Sequence, residues 1–246
     1  MKPPQTLESR GQDIPLLMLP GTLCDARVFA PLLAQEPISR HGAILHGEMT
    51  GQSDARALAR EILDSAPARF IPVGFSLGGI VALELAMLAP DRILGMVLIA
   101  ANARPVPQSD HAARRAMAEL DPVQLVGEHL WPRYVAPARL HDQALRESIK
   151  DMAAAAPPQT LARQTELALT RSDKRPHLGA MAMPVLVLGG ALDAIAPPAL
   201  QHELAAGLPH ATLRLAPDAG HFLPLECPEF CALALAEWLA SAFALA

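Results

Sequence analysis

Cysteine is scarce in this chain, and the few cysteines form no recognisable pattern. The 246 residues include only Cys24, Cys227 and Cys231, an odd number that cannot form a complete set of disulfides. Cys227 and Cys231 are one helical turn apart, but no histidine or further cysteine completes a metal-binding spacing with them. We therefore expect reduced thiols in packing roles, as is typical of a cytoplasmic protein, and no bound metal.

Clustered positive charge and long apolar spans are also lacking. The formal net charge is −5 and the arginines are scattered, which argues against binding to nucleic acid or to an anionic membrane surface. Residues 1–13 contain no apolar segment, so the sequence predicts no secretory signal. Residues 231–246 are apolar, but they are too few to span a bilayer and include Glu237, so we expect a buried helix there.

Apolar residues are abundant, at 51% of the chain against 18% charged residues. This composition supports a large core, either in one domain or in a core that carries an inserted subdomain. Strands are predicted over residues 14–20, 43–45, 70–73, 94–100, 185–188 and 212–215, and helices over residues 25–35, 53–65 (with Ser53 as N-cap), 77–89, 198–206 and 228–242. Apolar strands that alternate with helices are typical of an α/β protein with a parallel sheet covered on both faces.

One long segment breaks this alternation. Residues 103–177 have helical patterns, are rich in alanine, arginine and proline, and contain no convincing strand. The simplest interpretation is a helical cap subdomain inserted into a core formed by residues 1–102 and 178–246. Such an insertion would lie at the carboxyl edge of the sheet, where α/β proteins bind their ligands.

The sequence G-F-S-L-G at residues 74–78 fits the pattern G-x-S-x-G between a predicted strand and a predicted helix. That context suits a nucleophilic serine on a strained turn, because Gly74 and Gly78 remove side chains that would clash there. The N–H of Leu77, at the helix N-terminus, would stabilise developing negative charge. The alternative is that Ser76 only caps the helix.

A nucleophilic serine needs a base, and His221 is the best of nine histidines. It follows Ala219 and Gly220 in a loop after the predicted strand 212–215, at the edge where a base must lie. Asp193 follows strand 185–188 and could fix the tautomer of that base, although an Asx-turn is the alternative. Asp218 is a rival, but it is close to His221 in sequence and badly placed to reach the ring.

The second donor for an oxyanion should lie in the loop after strand 14–20. The N–H of Thr22 is the first candidate, because Gly21 lets the backbone turn, and the N–H of Leu23 is the fallback. Cys24 lies nearby but has no neighbouring cation in sequence to lower its pKa, so we expect it to be unreactive.

Four sequence blocks in this order resemble the α/β-hydrolase superfamily over most of the chain: L-P-G-T-L-C-D, G-F-S-L-G-G, L-V-L-G-G-A-L-D-A-I-A-P-P and A-G-H-F-L-P-L-E-C-P-E. The resemblance implies that Ser76 is the nucleophile, His221 the base and Asp193 its partner, with the amides of Thr22 and Leu77 as oxyanion hole. Residues 171–173 resemble the end of the cap in small esterases and enol-lactone hydrolases.

The chain also departs from the family pattern. Pro20 stands where the family usually has a histidine, and residues 46–53 match the common loop D-x-x-G-x-G-x-S only loosely. Only residues 1–13 precede the first predicted strand, so we expect the leading hairpin of the family to be shortened or partly absent.

These features predict a serine-dependent hydrolase of small or medium carboxylic esters that needs no cofactor. Thioesterase, lactone hydrolase and C–C bond hydrolase remain alternatives with the same three residues, and a non-catalytic ligand receptor is an alternative of another class. The serine at position 76 argues against dehalogenases and epoxide hydrolases, whose nucleophile is a carboxylate. Trp131, Tyr134 and Leu23 are candidates for substrate contact, with packing as the alternative role for the two aromatic residues. No feature predicts an oligomeric state.

Overall fold

A single parallel sheet organises the fold. The computed structural model describes residues 14–243. Its strands are β1 (Leu16–Leu19), β2 (Ile44–His46), β3 (Ile71–Phe75), β4 (Met96–Ile99), β5 (Val185–Gly190) and β6 (Ala211–Ala216). They lie in the order β2-β1-β3-β4-β5-β6, and every neighbouring pair is parallel. The predicted α/β fold with a parallel sheet is therefore confirmed. The prediction of a shortened leading hairpin falls on residues 1–13, outside the described residues.

Both faces of this sheet are apolar, because successive residues of a strand point to opposite sides. In β1, Leu16 and Met18 belong to one hydrophobic cluster, whereas Leu17 and Leu19 belong to another. The α-helices of the described residues are, in chain order, α1 (Ala30–Leu33), α2 (Ala55–Ser65), α3 (Leu77–Leu88), α4 (His111–Met117), α5 (Pro122–Gln124), α6 (Trp131–Tyr134), α7 (Gln143–Ala155), α8 (Thr160–Thr170), α9 (Arg175–Leu178), α10 (Pro198–Gly207), α11 (Leu223–Glu226) and α12 (Pro228–Phe243). Shorter helical turns, five of 3-10 type and one π-turn, connect them at Ala26–Phe29, Ile38–Arg40, Pro90–Arg92, Gln108–Asp110, Leu125–His129 and Pro137–Arg139.

The start of α2 and the C-terminal helix can be compared with the predictions made from the sequence. The prediction that Ser53 caps α2 is wrong by one residue, because Asp54 has the extended backbone of a cap and its carboxylate accepts the N–H of Ala57 at 2.8 Å. The apolar C-terminal segment forms α12, which buries Leu235 and Trp238 in the core as expected. No helix within residues 14–243 is long and apolar enough to cross a lipid bilayer.

The segment between β4 and β5 carries helices α4 to α9 and no strand. The part of it from residue 103 to 177 is called the helical insertion below. Its last turn is fixed to the core by a buried ion pair between Lys174 and Glu84 of α3, and the N–H of Lys174 donates to the carbonyl of Ala103 at 2.9 Å. Removing one partner of a buried ion pair is strongly destabilising, so this pair holds the end of the insertion against the core.

Candidate active site

Ser76 lies on a strained turn between β3 and α3. Its backbone has φ 51° and ψ −110°, a conformation that costs a non-glycine residue about 1–3 kcal/mol. Ser76 occupies the N-cap position of α3, but its hydroxyl makes no capping hydrogen bond. The turn is held instead by its backbone, since the Ser76 N–H donates to the carbonyl of Ile99 at 2.8 Å. Because the hydroxyl does not cap the helix, it is available to another partner.

The glycines of the G-x-S-x-G pattern are required by close backbone contacts. A Cβ atom at Gly78 would lie 1.9 Å from the carbonyl oxygen of Leu19, and one at Gly74 would lie 2.5 Å from the carbonyl oxygen of Gly78. Neither neighbour is a flexible side chain, so any larger residue would displace the turn. These contacts give the physical reason for the spacing seen in the sequence.

His221 connects Ser76 with Asp193 by hydrogen bonds. Its Nε2 lies 2.9 Å from the Ser76 Oγ, and its Nδ1 lies 2.8 Å from the Asp193 Oδ2. His221 and Asp193 are both buried. With the Nδ1–H donating to the carboxylate, the Nε2 is the nitrogen that accepts a proton from the serine hydroxyl. The structure therefore joins the three residues singled out in the sequence, from loops after β3, β5 and β6.

Asp193 serves two partners at once. Its Oδ2 faces His221, while its Oδ1 accepts the N–H groups of Ile195 at 2.7 Å and Ala196 at 2.8 Å. The Asx-turn considered as an alternative is therefore present together with the contact to histidine. Asp218, the rival carboxylate, is exposed and makes no hydrogen bond to the ring.

The loop that carries His221 is fixed by the helical insertion, a contact that the sequence did not reveal. The carbonyl of Tyr134 accepts the N–H groups of His221 at 2.9 Å and Phe222 at 3.1 Å. The carboxylate of Glu226 accepts the N–H of Gly220 at 3.1 Å and that of Ala136 at 2.8 Å. A glutamate in the otherwise apolar stretch after His221 was the one available signal for this role.

Burial raises the pKa of Glu226 above its ordinary value, although the backbone N–H donors partly oppose the shift. From the ordinary glutamate pKa up to the raised one, the folded state binds more protons than the unfolded state, so the free energy of unfolding falls as the pH rises through that window. We expect Glu226→Gln, which cannot ionise, to gain stability relative to the wild type as the pH rises from about 4 to 8. Urea unfolding of both proteins across this range measures the difference, and Glu237→Gln, a change of an exposed glutamate, is the control. A difference that stays constant with pH would contradict the expectation.

The loop after β1 is held by a buried glutamine of the insertion. Leu23 has φ 55°, and its N–H donates to the Oε1 of Gln164 at 2.8 Å. The Nε2 of Gln164 donates to the carbonyl of Met49 at 3.1 Å, and the residue is only 1% exposed. The fallback donor Leu23 is thus already engaged. The N–H groups of Thr22 and Leu77, by contrast, donate to no other residue within 14–243.

A cavity of about 450 Å³ lies against Ser76 and His221, a size typical of small-molecule sites. Thr22 and Leu77 also line it. Both the core and the helical insertion contribute apolar side chains to its wall, among them Phe75, Ile80, Phe222, Met117, Leu125, Leu130 and Leu161. No cluster of three or more side chains suited to hold a metal ion occurs in the described part of the chain.

The predicted substrate contacts are only partly placed at this cavity. Tyr134 lines it, and burial raises the pKa of its hydroxyl, which keeps the group neutral. Trp131 does not line it, because its ring is buried in the core and its indole N–H donates to the carbonyl of Leu140 at 3.0 Å. The side chain of Leu23 is likewise buried in the core and away from the cavity. The structure thus places Trp131 and Leu23 in packing positions outside the wall of this cavity. Burial also raises the pKa of the Cys24 thiol, in keeping with a packing role.

Known proteins resemble this chain in sequence and in fold. The model of the alpha/beta hydrolase family matches residues 16–234. BpoC, a candidate non-heme bromoperoxidase of Mycobacterium tuberculosis, is 33% identical over 77% of this chain and 74% of its own length. The pimeloyl-[acyl-carrier protein] methyl ester esterase of Chromobacterium violaceum is 30% identical over 95% of this chain and 97% of its own. A malate-bound esterase from Thermogutta terrifontis superposes with a TM-score of 0.84 at 27% identity, covering 94% of this chain and 90% of the other. The chain therefore belongs to the alpha/beta hydrolase family.

Proposed function

We propose that the protein is a serine-dependent carboxylic-ester hydrolase that works through an acyl-enzyme. The observation that carries the proposal is a pair of hydrogen bonds, from Ser76 to His221 and from His221 to Asp193. They lie at the wall of a cavity of substrate size. Two of the similar proteins are named as esterases, which supports ester hydrolysis within the family.

In the first half-reaction, the Ser76 Oγ attacks the ester carbonyl while the Nε2 of His221 takes its proton. Asp193 holds the ring in the tautomer whose Nε2 is free and stabilises the imidazolium that forms. The two N–H donors to the Oδ1 of Asp193 keep its other oxygen directed at the ring. In this arrangement His221 removes the proton as the bond to the ester carbon forms, so the serine hydroxyl does not have to ionise beforehand.

The oxyanion of the tetrahedral intermediate rests on the N–H groups of Leu77 and Thr22 in this proposal. Both residues line the cavity with Ser76, and neither N–H is engaged elsewhere in residues 14–243. Leu77 begins α3, so the helix N-terminus adds to the field at that point. Each such donor contributes roughly 3 kcal/mol to catalysis in comparable sites.

The first half-reaction ends when the protonated His221 gives its proton to the leaving alcohol, which leaves the acyl group on Ser76. In the second half-reaction the neutral ring takes a proton from a water molecule that attacks the acyl-Ser76 ester, and it returns this proton to the Ser76 Oγ as the acid is released. None of these steps calls for a metal or an organic cofactor. The helical insertion acts as the cap over residues 1–102 and 178–246, and its apolar side chains bind a small or medium acyl or alcohol group. A cytoplasmic location, expected from the sparse free thiols, belongs to the same proposal.

Gln164 is proposed as a positioning residue for the oxyanion hole. Replacing it by leucine would leave the buried N–H of Leu23 and carbonyl of Met49 unpaired, which costs about 1–3 kcal/mol for each group. Because Thr22 precedes Leu23, the released loop moves the proposed donor. We expect Gln164→Leu to lower kcat by roughly ten- to a hundredfold and to change KM much less.

Steady-state kinetics on a neutral ester check this expectation, with the thermal midpoint recorded for each variant. Gln164→Glu retains an acceptor for Leu23 and should recover part of kcat. Arg163→Gln, an exposed neighbour on α8, is the control. A kcat equal to that of the wild type in a destabilised Gln164→Leu protein would show that Gln164 is purely structural.

Thioesters, lactones and activated C–C bonds could be cleaved by the same three residues. A panel of p-nitrophenyl esters, acyl-CoA thioesters and lactones, assayed on one preparation, distinguishes these alternatives. We expect ester hydrolysis to be fastest, with a burst of p-nitrophenol equal to the enzyme concentration when deacylation limits the rate. If thioesters were preferred by tenfold or more, the protein would be a thioesterase and the proposal of an ester hydrolase would be wrong. Binding without turnover of any substrate would favour a receptor.

A further inference from the structure

Two arginines of the helical insertion face the cavity that Ser76 lines. Arg114 lies on α4, and Arg171 directly follows α8, which packs beside α4. Both contribute to the cavity wall. A cation after a helix C-terminus is favourable by itself, but that effect does not account for a second cation beside it.

Several carboxylates of the helical insertion and of the core helices beside it already form ion pairs with other cations. Glu166 of α8 pairs with Arg115 through two hydrogen bonds, at 2.6 and 2.9 Å. Three further carboxylates are paired in the same way: Glu203 with Arg104, Asp173 with Arg175 and Glu84 with Lys174. Within residues 14–243, no carboxylate lies within 4.0 Å of a guanidinium nitrogen of Arg114 or Arg171.

Asp110 is the one carboxylate that lines the same cavity. It is exposed at the start of α4, and it accepts a hydrogen bond from the hydroxyl of Ser109 at 3.0 Å rather than from an arginine. Arg133, a third arginine of the cavity wall, donates to the carbonyl of Ala194 at 3.1 Å. Among the described residues, Asp110 thus forms no ion pair with Arg114 or Arg171, and Arg133 adds a further positive charge to the wall.

Arg171 is held in position with its outer nitrogens unused. Its Nε donates to the carbonyl of Arg104 at 2.8 Å, and its two Nη groups make no hydrogen bond to the described residues. Burial, and then the charge of Arg114, lower the pKa of Arg171 to about 10, so the group is still a cation at neutral pH. Arg171 is half-buried and Arg114 is exposed, and both line the same cavity, so their positive charges together favour an anion there.

We propose that Arg114 and Arg171 form an anion subsite that binds a carboxylate carried by the ester substrate. The preferred substrates are then acidic esters, such as the half-ester of a dicarboxylic acid, with the ester at Ser76 and the carboxylate at the two guanidinium groups. Arginine suits this task because its planar donors match the two oxygens of a carboxylate. The inference rests on the proposed function, since it names the substrate class of the same site.

Matched pairs of esters test the subsite. Monomethyl adipate against methyl hexanoate places the charge on the acyl side, and O-acetyl-4-hydroxybutanoate against butyl acetate places it on the alcohol side. We expect kcat/KM of the wild type to favour the acidic member of at least one pair by about tenfold or more. Arg114→Gln and Arg171→Gln should each remove most of that preference through KM, while the neutral esters change by less than about twofold.

Arg114→Gln is the deciding variant, because the Arg114 side chain makes no hydrogen bond to the described residues, whereas Arg171→Gln also loses the bond to Arg104. Arg171→Lys keeps the charge and should keep part of the preference. Arg60→Gln removes an exposed arginine of α2 outside the cavity and should change nothing. Equal rates on acidic and neutral esters, or a preference that survives Arg114→Gln, would overturn the subsite. Failure to hydrolyse even the neutral esters would instead overturn the proposed function.

Discussion

Ser76→Ala is expected to lose a factor on the order of 10⁶ in kcat on any ester that the wild type hydrolyses. The variant removes only the Oγ that lies 2.9 Å from the Nε2 of His221. Because the Ser76 hydroxyl does not cap α3, its loss leaves the helix N-terminus unchanged. The effect should therefore fall on catalysis and leave the fold intact, which circular dichroism and the thermal midpoint verify.

The same measurement on His221→Ala and on the double variant sharpens this prediction. Residues that act as one unit are not additive, so the double variant should be about as slow as either single variant. A residual rate above that of water is expected, because the N–H groups of Thr22 and Leu77 remain. An independent, multiplicative loss in the double variant would contradict a shared role for Ser76 and His221.

Asp193→Asn is expected to lower kcat by roughly 10⁴ while KM changes little. The asparagine Oδ1 can still accept the N–H groups of Ile195 and Ala196, so the loop after β5 keeps its shape. Its Nδ2 would instead face the Nδ1 of His221, which favours the tautomer with the proton on Nε2. In that tautomer the ring cannot accept the proton of Ser76.

Asp218→Asn is the matched control for this variant, because Asp218 is exposed and lies in the same loop as His221 without contacting the ring. It should retain the kcat of the wild type. A loss in Asp218→Asn as large as that in Asp193→Asn would contradict the assignment of Asp193 as the partner of His221.

Local signals in the sequence were sufficient for the fold and for the three residues of the site. The strands are short, apolar runs, and their alternation with helices determines a parallel sheet whose carboxyl ends meet at one edge. Ser76, Asp193 and His221 each follow such a strand, so their proximity follows from topology. The contacts of Gly74 and Gly78 explain why the motif itself was recognisable.

Contacts across the helical insertion could not be predicted in the same way. Gln164 reaches the loop of Leu23 from far along the chain, and Tyr134 meets His221 through its carbonyl rather than its ring. Neither contact has a local pattern, because each depends on how the insertion packs on the core. For the same reason the sequence left Trp131 between substrate contact and packing, since an aromatic side chain in a helical segment suits a core or a cavity equally. The sequence also does not show that Arg114 and Arg171 form no ion pair within residues 14–243, because ion pairing depends on how the helices pack.

The most direct test of the central claim, that Ser76 is a nucleophile activated by His221, is covalent labelling with a fluorophosphonate probe followed by mass spectrometry. Such probes phosphonylate only an activated serine. We predict one adduct per wild-type chain, located by peptide mapping at Ser76, no adduct on Ser76→Ala and much slower labelling of His221→Ala. An unlabelled wild-type protein, or an adduct on a different residue, would contradict the account.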